Sequence, residues 1–100
     1  MPSYALLWQE QGAETIHLGR AELDAHGLAL HGGPREAPVR HYIRDQDLSE
    51  VSREPASRIG PLKAFRVITR DGVSLLAAPM GIAMFCELFE QVALRVTQLS

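Results

Sequence analysis

Residues 65–99 read FRVITRDGVSLLAAPMGIAMFCELFEQVALRVTQL, and the spacing of their apolar residues changes at Pro79. Before Pro79 the apolar residues alternate as in a half-buried strand, and Asp71-Gly72 between two such runs predicts a hairpin. After Pro79 they recur three and four apart, as on one face of a helix: Ile82, Phe85, Phe89, Val92, Val96 and Leu99. Together with Lys63-Ala64 before it, the stretch therefore predicts two antiparallel strands, Lys63–Arg70 and Val73–Ala78, followed by one helix from about Met80 to Gln98.

The sequence before residue 63 shows the period of strands and no helical period. Alternating apolar residues predict strands at 4–9, 16–23, 28–30, 39–43 and 48–51, separated by turns rich in glycine, aspartate or proline. The alternation slips by one residue at Gly19-Arg20, which predicts a β-bulge there. We expect Pro55 to end the fifth strand, and residues 54–62 to form the longest loop because they contain two prolines and a glycine.

Seven short strands followed by one helix exclude a doubly wound α/β fold, because no crossover helices separate the strands. We expect a mainly β (α+β) fold, in which a bent seven-stranded antiparallel sheet forms a split barrel and the C-terminal helix caps one end. One hundred residues suit a single domain spanning 1–100.

Two segments of the chain carry a resemblance to a known family. Gly19–Leu23 leading to Gly27–Gly32 resembles the second hairpin of the pleckstrin-homology-like superfold, and Val39–Ile43 with Asp47–Val51 is similar to the strand, acidic turn and spaced apolar pair that follow. The pattern is most similar to the bacterial and GRAM-like variants. The resemblance implies a non-enzymatic binding module, since such domains bind phosphoinositide headgroups, peptides or other proteins. The helix departs from the pattern, because many relatives carry a tryptophan there and the single tryptophan of this chain is Trp8.

The charges of the chain argue against the usual headgroup site. The net charge of −2 gives no overall attraction to nucleic acid or anionic lipid. In lipid-binding relatives, basic residues of the first two strands and their loop hold the phosphates. In this chain, that loop and its neighbours hold two basic and four acidic residues: Glu10, Glu14, Arg35, Glu36, Arg70 and Asp71. We therefore do not expect phosphoinositide binding at this end.

The predicted helix offers a candidate surface for a protein partner or a homodimer. It has few charges and carries apolar residues outside its core stripe, namely Met80, Met84, Leu88 and Leu94. A helix that is apolar on more than one side often buries the second side against another molecule. The alternative is that the small barrel wraps enough of the helix to cover both stripes. We expect protein–protein association, through this helix or through an edge of the split barrel.

The middle of the chain offers a candidate surface for an anionic ligand. Residues 35–70 carry eight basic against five acidic residues. Six of these bases are candidates to share one face: Arg40, Arg44, Arg53, Arg58, Lys63 and Arg66. From this set, Arg40, Arg44 and Arg66 are the predicted anion- or lipid-binding residues, and the alternative is a solvated face interleaved with acids. Nucleic acid is not expected, because Tyr42 is the only aromatic residue among these bases.

The sequence gives no sign of an enzyme or of a cofactor. His17, His26, His31 and His41 have no cysteine or carboxylate at a spacing diagnostic of zinc, and no nucleophile motif or phosphate loop is present. A single cysteine excludes an internal disulfide, which suits a reducing compartment. No apolar run approaches the roughly 20 residues of a membrane span, and the N-terminus lacks a basic leader region. We expect a cytoplasmic protein.

Overall fold

The computed structural model describes residues 3–54 and 56–98. In chain order its elements are β1 (Ser3–Glu10), β2 (His17–Leu23), β3 (Gly27–Gly32), β4 (Val39–Arg44), a short 3₁₀ turn (Asp45–Asp47), β5 (Leu48–Ser52), β6 (Arg58–Ile59), β7 (Leu62–Lys63), β8 (Phe65–Thr69), β9 (Ser74–Pro79) and α1 (Ile82–Gln98). The predicted strand end at Pro55 and the last position of the helical stripe, Leu99, lie outside the described residues.

Seven of these strands form one antiparallel sheet in the order β4-β3-β2-β1-β9-β8-β5. The first four strands follow one another as a meander, and β9 returns to pair with β1. The two edge strands, β4 and β5, are joined by the short 3₁₀ turn, so the sheet is curled into a half-barrel. The predicted fold class, a bent seven-stranded antiparallel sheet with a single C-terminal helix, is confirmed.

The helix packs its apolar stripe into the curl of the sheet. Phe85, Leu88 and Val92 are all less than 5% exposed and belong to the main core. Phe65 of β8 meets Phe85 and Phe89 edge-on, with ring centroids 5.5 and 5.6 Å apart, an arrangement that aromatic quadrupoles favour. The α1 helix is not long and apolar enough to cross a membrane, and neither is any other helix in the described part of the chain.

The predicted β-bulge at Gly19-Arg20 is wrong. The β1–β2 pairing runs through these residues without a break, with Leu6 opposite Gly19 and Ala5 opposite Arg20. The apparent slip in the sequence arises because Ile16 and Leu18 lie on the outer face of the sheet, where they are 47% and 64% exposed. An irregularity in register is found instead in β5, between Leu48 and Glu50.

Residues 54–62, predicted as a loop, contain a small hairpin. Gly60, with a φ of 58°, turns the chain between β6 and β7, and Ile59 pairs with Leu62. This hairpin covers the outer face of the sheet and builds a second core of Ile59, Ala64 and Ala78, with Leu7, Leu62 and Leu76 packed against it. The predicted strand Lys63–Arg70 accordingly begins at Phe65, and Lys63 belongs to the hairpin.

The turn between β2 and β3 is held by one aspartate. Asp24 Oδ1 accepts the backbone N–H groups of His26 and Gly27, each at 2.7 Å, and the hydroxyl of Tyr42 at 3.0 Å. The His26 N–H contributes most to holding the pKa of Asp24 below its usual value, because hydrogen bonds to a carboxylate favour its charged form. The bonds fix the hairpin that the sequence predicts at this point.

Candidate binding groove

The apolar helix residues predicted to bind a partner do not form one surface. Leu88 is 1% exposed and lies in the core, so it is not accessible to a partner. Met84 is half-buried against the core, whereas Met80 and Leu94 are 40% and 52% exposed. Ile82, predicted to lie in the core stripe, is instead 64% exposed at the first turn of the helix. The barrel therefore covers Leu88 and part of Met84, whereas the exposed apolar side chains lie at both ends of the helix: Met80 and Ile82 at its start and Leu94 near its end.

The three arginines predicted to bind an anion are not brought together. Arg40 lies over the ring of Tyr42, with its guanidinium carbon 5.3 Å from the ring centroid. Arg44 forms an ion pair with Asp47 at 2.9 Å. Both belong to β4, whereas Arg66 belongs to β8, which is not a neighbour of β4 in the sheet.

A cavity of about 520 Å³ lies between β4 and the β8–β9 turn, and most of its charged side chains already make contacts within the protein. Its Arg44–Asp47 ion pair is intact, and Arg70 donates from Nε to the carbonyl of Gln46 at 2.7 Å. Asp71 accepts a short hydrogen bond from the Thr69 hydroxyl, which is the largest cause of its lowered pKa. These contacts engage Arg44, Asp47 and Asp71, whereas Arg70 bonds to a neutral carbonyl and forms no ion pair within the described residues.

The histidines make local contacts and do not converge. His17 packs against Trp8 with ring centroids 4.3 Å apart and the rings tilted by 31°, and His41 Nδ1 lies 3.3 Å from a carboxylate oxygen of Glu10. Over residues 3–54 and 56–98, no group of three or more His, Cys, Asp or Glu side chains is placed to hold a metal ion.

A groove between the end of β5, the β6–β7 hairpin and the first turns of α1 has a different character. We refer to it as the helix–hairpin groove. It has a volume of about 360 Å³ and is lined by Arg53, Glu54, Arg58, Lys63, Ala64, Ile82, Phe85 and Cys86. An adjoining recess of about 150 Å³ shares Lys63, Ile82 and Phe85 and adds Pro61, Leu62, Pro79 and Gly81.

The floor of the helix–hairpin groove is apolar. Ala64 and Phe85 are 1% and 4% exposed and supply the base. Ile82 stands beside them with most of its side chain exposed to water. An exposed apolar side chain beside an apolar recess gains free energy when a second apolar surface covers both.

The rim of the groove is basic. Arg58 and Lys63 are exposed and lie directly opposite each other in the β6–β7 pairing. Like charges at directly opposite positions of a strand pair destabilise it. Neither residue forms an ion pair with any group in the two described segments. Arg53 adds a third cation, with its guanidinium carbon 5.2 Å from the Phe89 ring centroid, and Glu54 is the one acidic residue among the lining residues.

Sequence reasoning included Arg53, Arg58 and Lys63 in a basic set but missed the groove that they surround. The signal was available in Ile59-Gly60-Pro61-Leu62, where two apolar residues flank a Gly-Pro turn. Each strand of this hairpin has only two residues, which is too short for the alternation of side chains to be recognised.

No protein-family model and no curated protein matches the sequence. Among solved structures, the chain is similar to the crystal structure of the C-terminal domain of an unknown protein from Leishmania infantum, with a TM-score of 0.66 and 15% sequence identity. The similarity covers 92% of this chain and 82% of that one. At this level of identity it shows the fold alone, a curled antiparallel sheet with one C-terminal helix.

Proposed function

We propose that the domain is a non-enzymatic interaction module of pleckstrin-homology-like fold, and that it mediates protein–protein association through the helix–hairpin groove. The observation that carries this proposal is the pairing of an apolar floor with two opposed cations, Arg58 and Lys63, that lack an ion pair within the described residues. The curled sheet with its C-terminal helix supports membership of the superfold, together with the two sequence segments that resemble it.

The chemistry of the groove selects the kind of partner. A segment with an apolar side chain covers Ile82 and Phe85, and a neighbouring Asp or Glu offsets the repulsion between Arg58 and Lys63. Desolvated apolar contacts at the centre of an interface and charged contacts at its rim are the usual division of roles. The partner is therefore a protein segment in which acidic residues flank an apolar side chain.

Selection from a random peptide library tests this function. We expect enriched peptides to combine an apolar residue with Asp or Glu, and their amide shift changes on the ¹⁵N-labelled domain to map to the groove. The double variant Arg58→Glu with Lys63→Glu is expected to weaken binding at least tenfold, about 1.4 kcal/mol. Arg35→Glu, which changes the charge in the exposed loop between β3 and β4, is the matched control and should bind as the parent does.

The same variants separate the alternatives. Enriched peptides without acidic residues, or binding that survives both charge reversals, contradict the proposal. Sedimentation with anionic vesicles that the double reversal abolishes would instead assign the groove to a lipid surface. A concentration-dependent dimer in light scattering, lost on Ile82→Asp, would assign it to a second copy of the chain.

A further inference from the structure

A second cavity lies on the outer face of the sheet, where β1, β9 and β8 run side by side. We refer to it as the outer-face cavity. It has a volume of about 170 Å³ and is lined by Gln9, Arg66, Ser74, Leu76 and residues 10–13. It shares no lining residue with the helix–hairpin groove.

The register of the sheet places these side chains together. Leu76 lies opposite Gln9 on one side and opposite Arg66 on the other, so the three form one row across β1, β9 and β8. Ser74 lies opposite Ile68, one diagonal step from Arg66. Successive residues of a strand alternate between faces, and Val67 and Leu75 are buried in the main core. Arg66 and Ser74 therefore both lie on the outer face.

Two buried polar atoms at this cavity have no hydrogen-bond partner among the described residues. Arg66 Nε and Ser74 Oγ are buried, and neither forms a hydrogen bond within residues 3–54 and 56–98. Arg66 also forms no ion pair within this part of the chain. Buried donors in native proteins are nearly always satisfied, and each exception calls for an explanation such as a bound ion. Both exceptions line the same cavity, and both groups can donate a hydrogen bond.

We propose that the outer-face cavity binds a carboxylate, whose two oxygens accept hydrogen bonds from the Arg66 guanidinium and the Ser74 hydroxyl. The planar guanidinium matches the spacing of two carboxylate oxygens. Arg66 is the one basic residue among the lining residues, and Glu10 is also present, so a singly charged anion fits the local charge better than a phosphate dianion.

The size of the cavity limits the ligand. A volume of 170 Å³ corresponds to roughly five or six water molecules at about 30 Å³ each, which is too small to enclose an inositol phosphate but admits a small organic acid or the end of a peptide. Leu76 provides an apolar surface for the methyl or methylene groups of such a ligand. Gln9 donates from Nε2 to the carbonyl of Ala13 at 2.8 Å and so holds the β1–β2 loop beside the cavity.

Titration of the ¹⁵N-labelled protein with sodium acetate, with sodium chloride as the reference at matched ionic strength, tests the proposal. We expect a saturable shift of the Arg66 Nε–H signal and of the Ser74 amide. Arg66→Gln should abolish the shift of the Ser74 amide, and Ser74→Ala should weaken acetate binding at least fivefold. Arg35→Gln, which removes an arginine from a loop outside the cavity, should leave the titration unchanged.

Each outcome decides for or against the carboxylate. Shifts that do not saturate, that chloride reproduces, or that survive Arg66→Gln show an adventitious ion only and overturn the proposal. Tighter binding of inorganic phosphate than of acetate overturns it as well. Thermal unfolding adds a check on Ser74. Without acetate, Ser74→Ala should not lower the unfolding midpoint, because the hydroxyl has no hydrogen-bond partner within residues 3–54 and 56–98. A clear fall in the midpoint contradicts this.

The carboxylate can come from a polypeptide terminus or from a small organic acid. A peptide with a free C-terminal carboxylate, compared with the same peptide ending in an amide, distinguishes these two sources. Binding of the free acid more tightly than acetate assigns the cavity to a polypeptide terminus, and equal binding assigns it to a small organic acid. Equal binding of the amide and the acid contradicts a carboxylate site.

Discussion

Gly19 lies in β2 where the strand approaches β3 too closely for a side chain. A Cβ atom at this position would fall 2.6 Å from the carbonyl carbon of His31 and 2.8 Å from the Cα of Gly32. These are backbone atoms of a central strand, so they cannot move aside without disturbing the pairing. The glycine is required here by close strand packing, and the sequence gives no way to distinguish this requirement from that of a bulge.

We predict that Gly19→Ala lowers the free energy of unfolding by about 2–3 kcal/mol, the upper part of the range of about 1–3 kcal/mol typical of overpacking, because the atoms it meets belong to the backbone. Gly81→Ala is the matched control, because the nearest atom to its added Cβ is the flexible end of Met84 at 3.9 Å. We expect the control to cost about 1 kcal/mol or less in urea denaturation. Equal losses for the two variants would show that β2 and β3 can separate to admit the methyl group.

Alternation of apolar residues predicted which segments are strands more reliably than which side of the sheet each residue faces. Ile16 and Leu18 are apolar and exposed, so they shifted the apparent inner face of β2 by one residue. The same limit applies to α1, where the period placed Ile82 in the core and Leu88 outside it, the reverse of the structure. The period of the apolar residues shows which residues share one face of a strand or helix. The curl of the sheet decides how many of those residues are buried.

The β6–β7 hairpin contributes both to the second core and to the helix–hairpin groove. Its inner residues, Ile59 and Leu62, close the second core, while Arg58 and Lys63 on its other side form the rim of the helix–hairpin groove. The short strands gave no periodic signal, so the sequence predicted the basic residues but not their opposition across a turn. Removing the packing contacts of Ile59 and Leu62 should therefore make Arg58 and Lys63 more mobile.

We predict that Ile59→Ala lowers the free energy of unfolding by about 2–4 kcal/mol, because Ile59 is 2% exposed and its loss leaves a cavity. Amide hydrogen exchange of residues 58–63 should accelerate as the hairpin loosens. Leu62→Ala, at a half-buried position in the same core, is the control and should cost less. An unchanged stability in Ile59→Ala would mean that the hairpin does not pack on the sheet in solution.

At the scale of the whole molecule, the end of α1 contacts the 3₁₀ turn that joins the two edge strands, β4 and β5. Arg95 Nη1 lies 3.1 Å from Asp45 Oδ1 and 3.4 Å from the carbonyl oxygen of Gly27, so one side chain contacts both the 3₁₀ turn and the start of β3. Tyr4 adds a second tie by donating to a carboxylate oxygen of Glu87 at 2.9 Å. Burial is the main cause of the raised pKa of Tyr4, with Glu87 contributing further.

The Arg95–Asp45 pair should contribute more to stability than a surface ion pair of similar distance. Its side chains are 19% and 26% exposed, whereas those of Arg44 and Asp47, 2.9 Å apart, are 59% and 43% exposed. Charges that are partly shielded from water interact more strongly, and exposed pairs are largely screened. A double-mutant cycle with Arg95→Met and Asp45→Ala is therefore expected to give a coupling of about 1 kcal/mol.

The same cycle on Arg44 and Asp47 is the control and should give a coupling of about 0.5 kcal/mol or less. Methionine keeps the apolar stem of the arginine, so the measured coupling reflects the charge and not the lost packing. Added salt at 1 M should reduce both couplings and reduce the exposed one proportionally more, because it is the more accessible to counterions. Equal couplings would show that the partial burial of Arg95 and Asp45 does not strengthen their interaction.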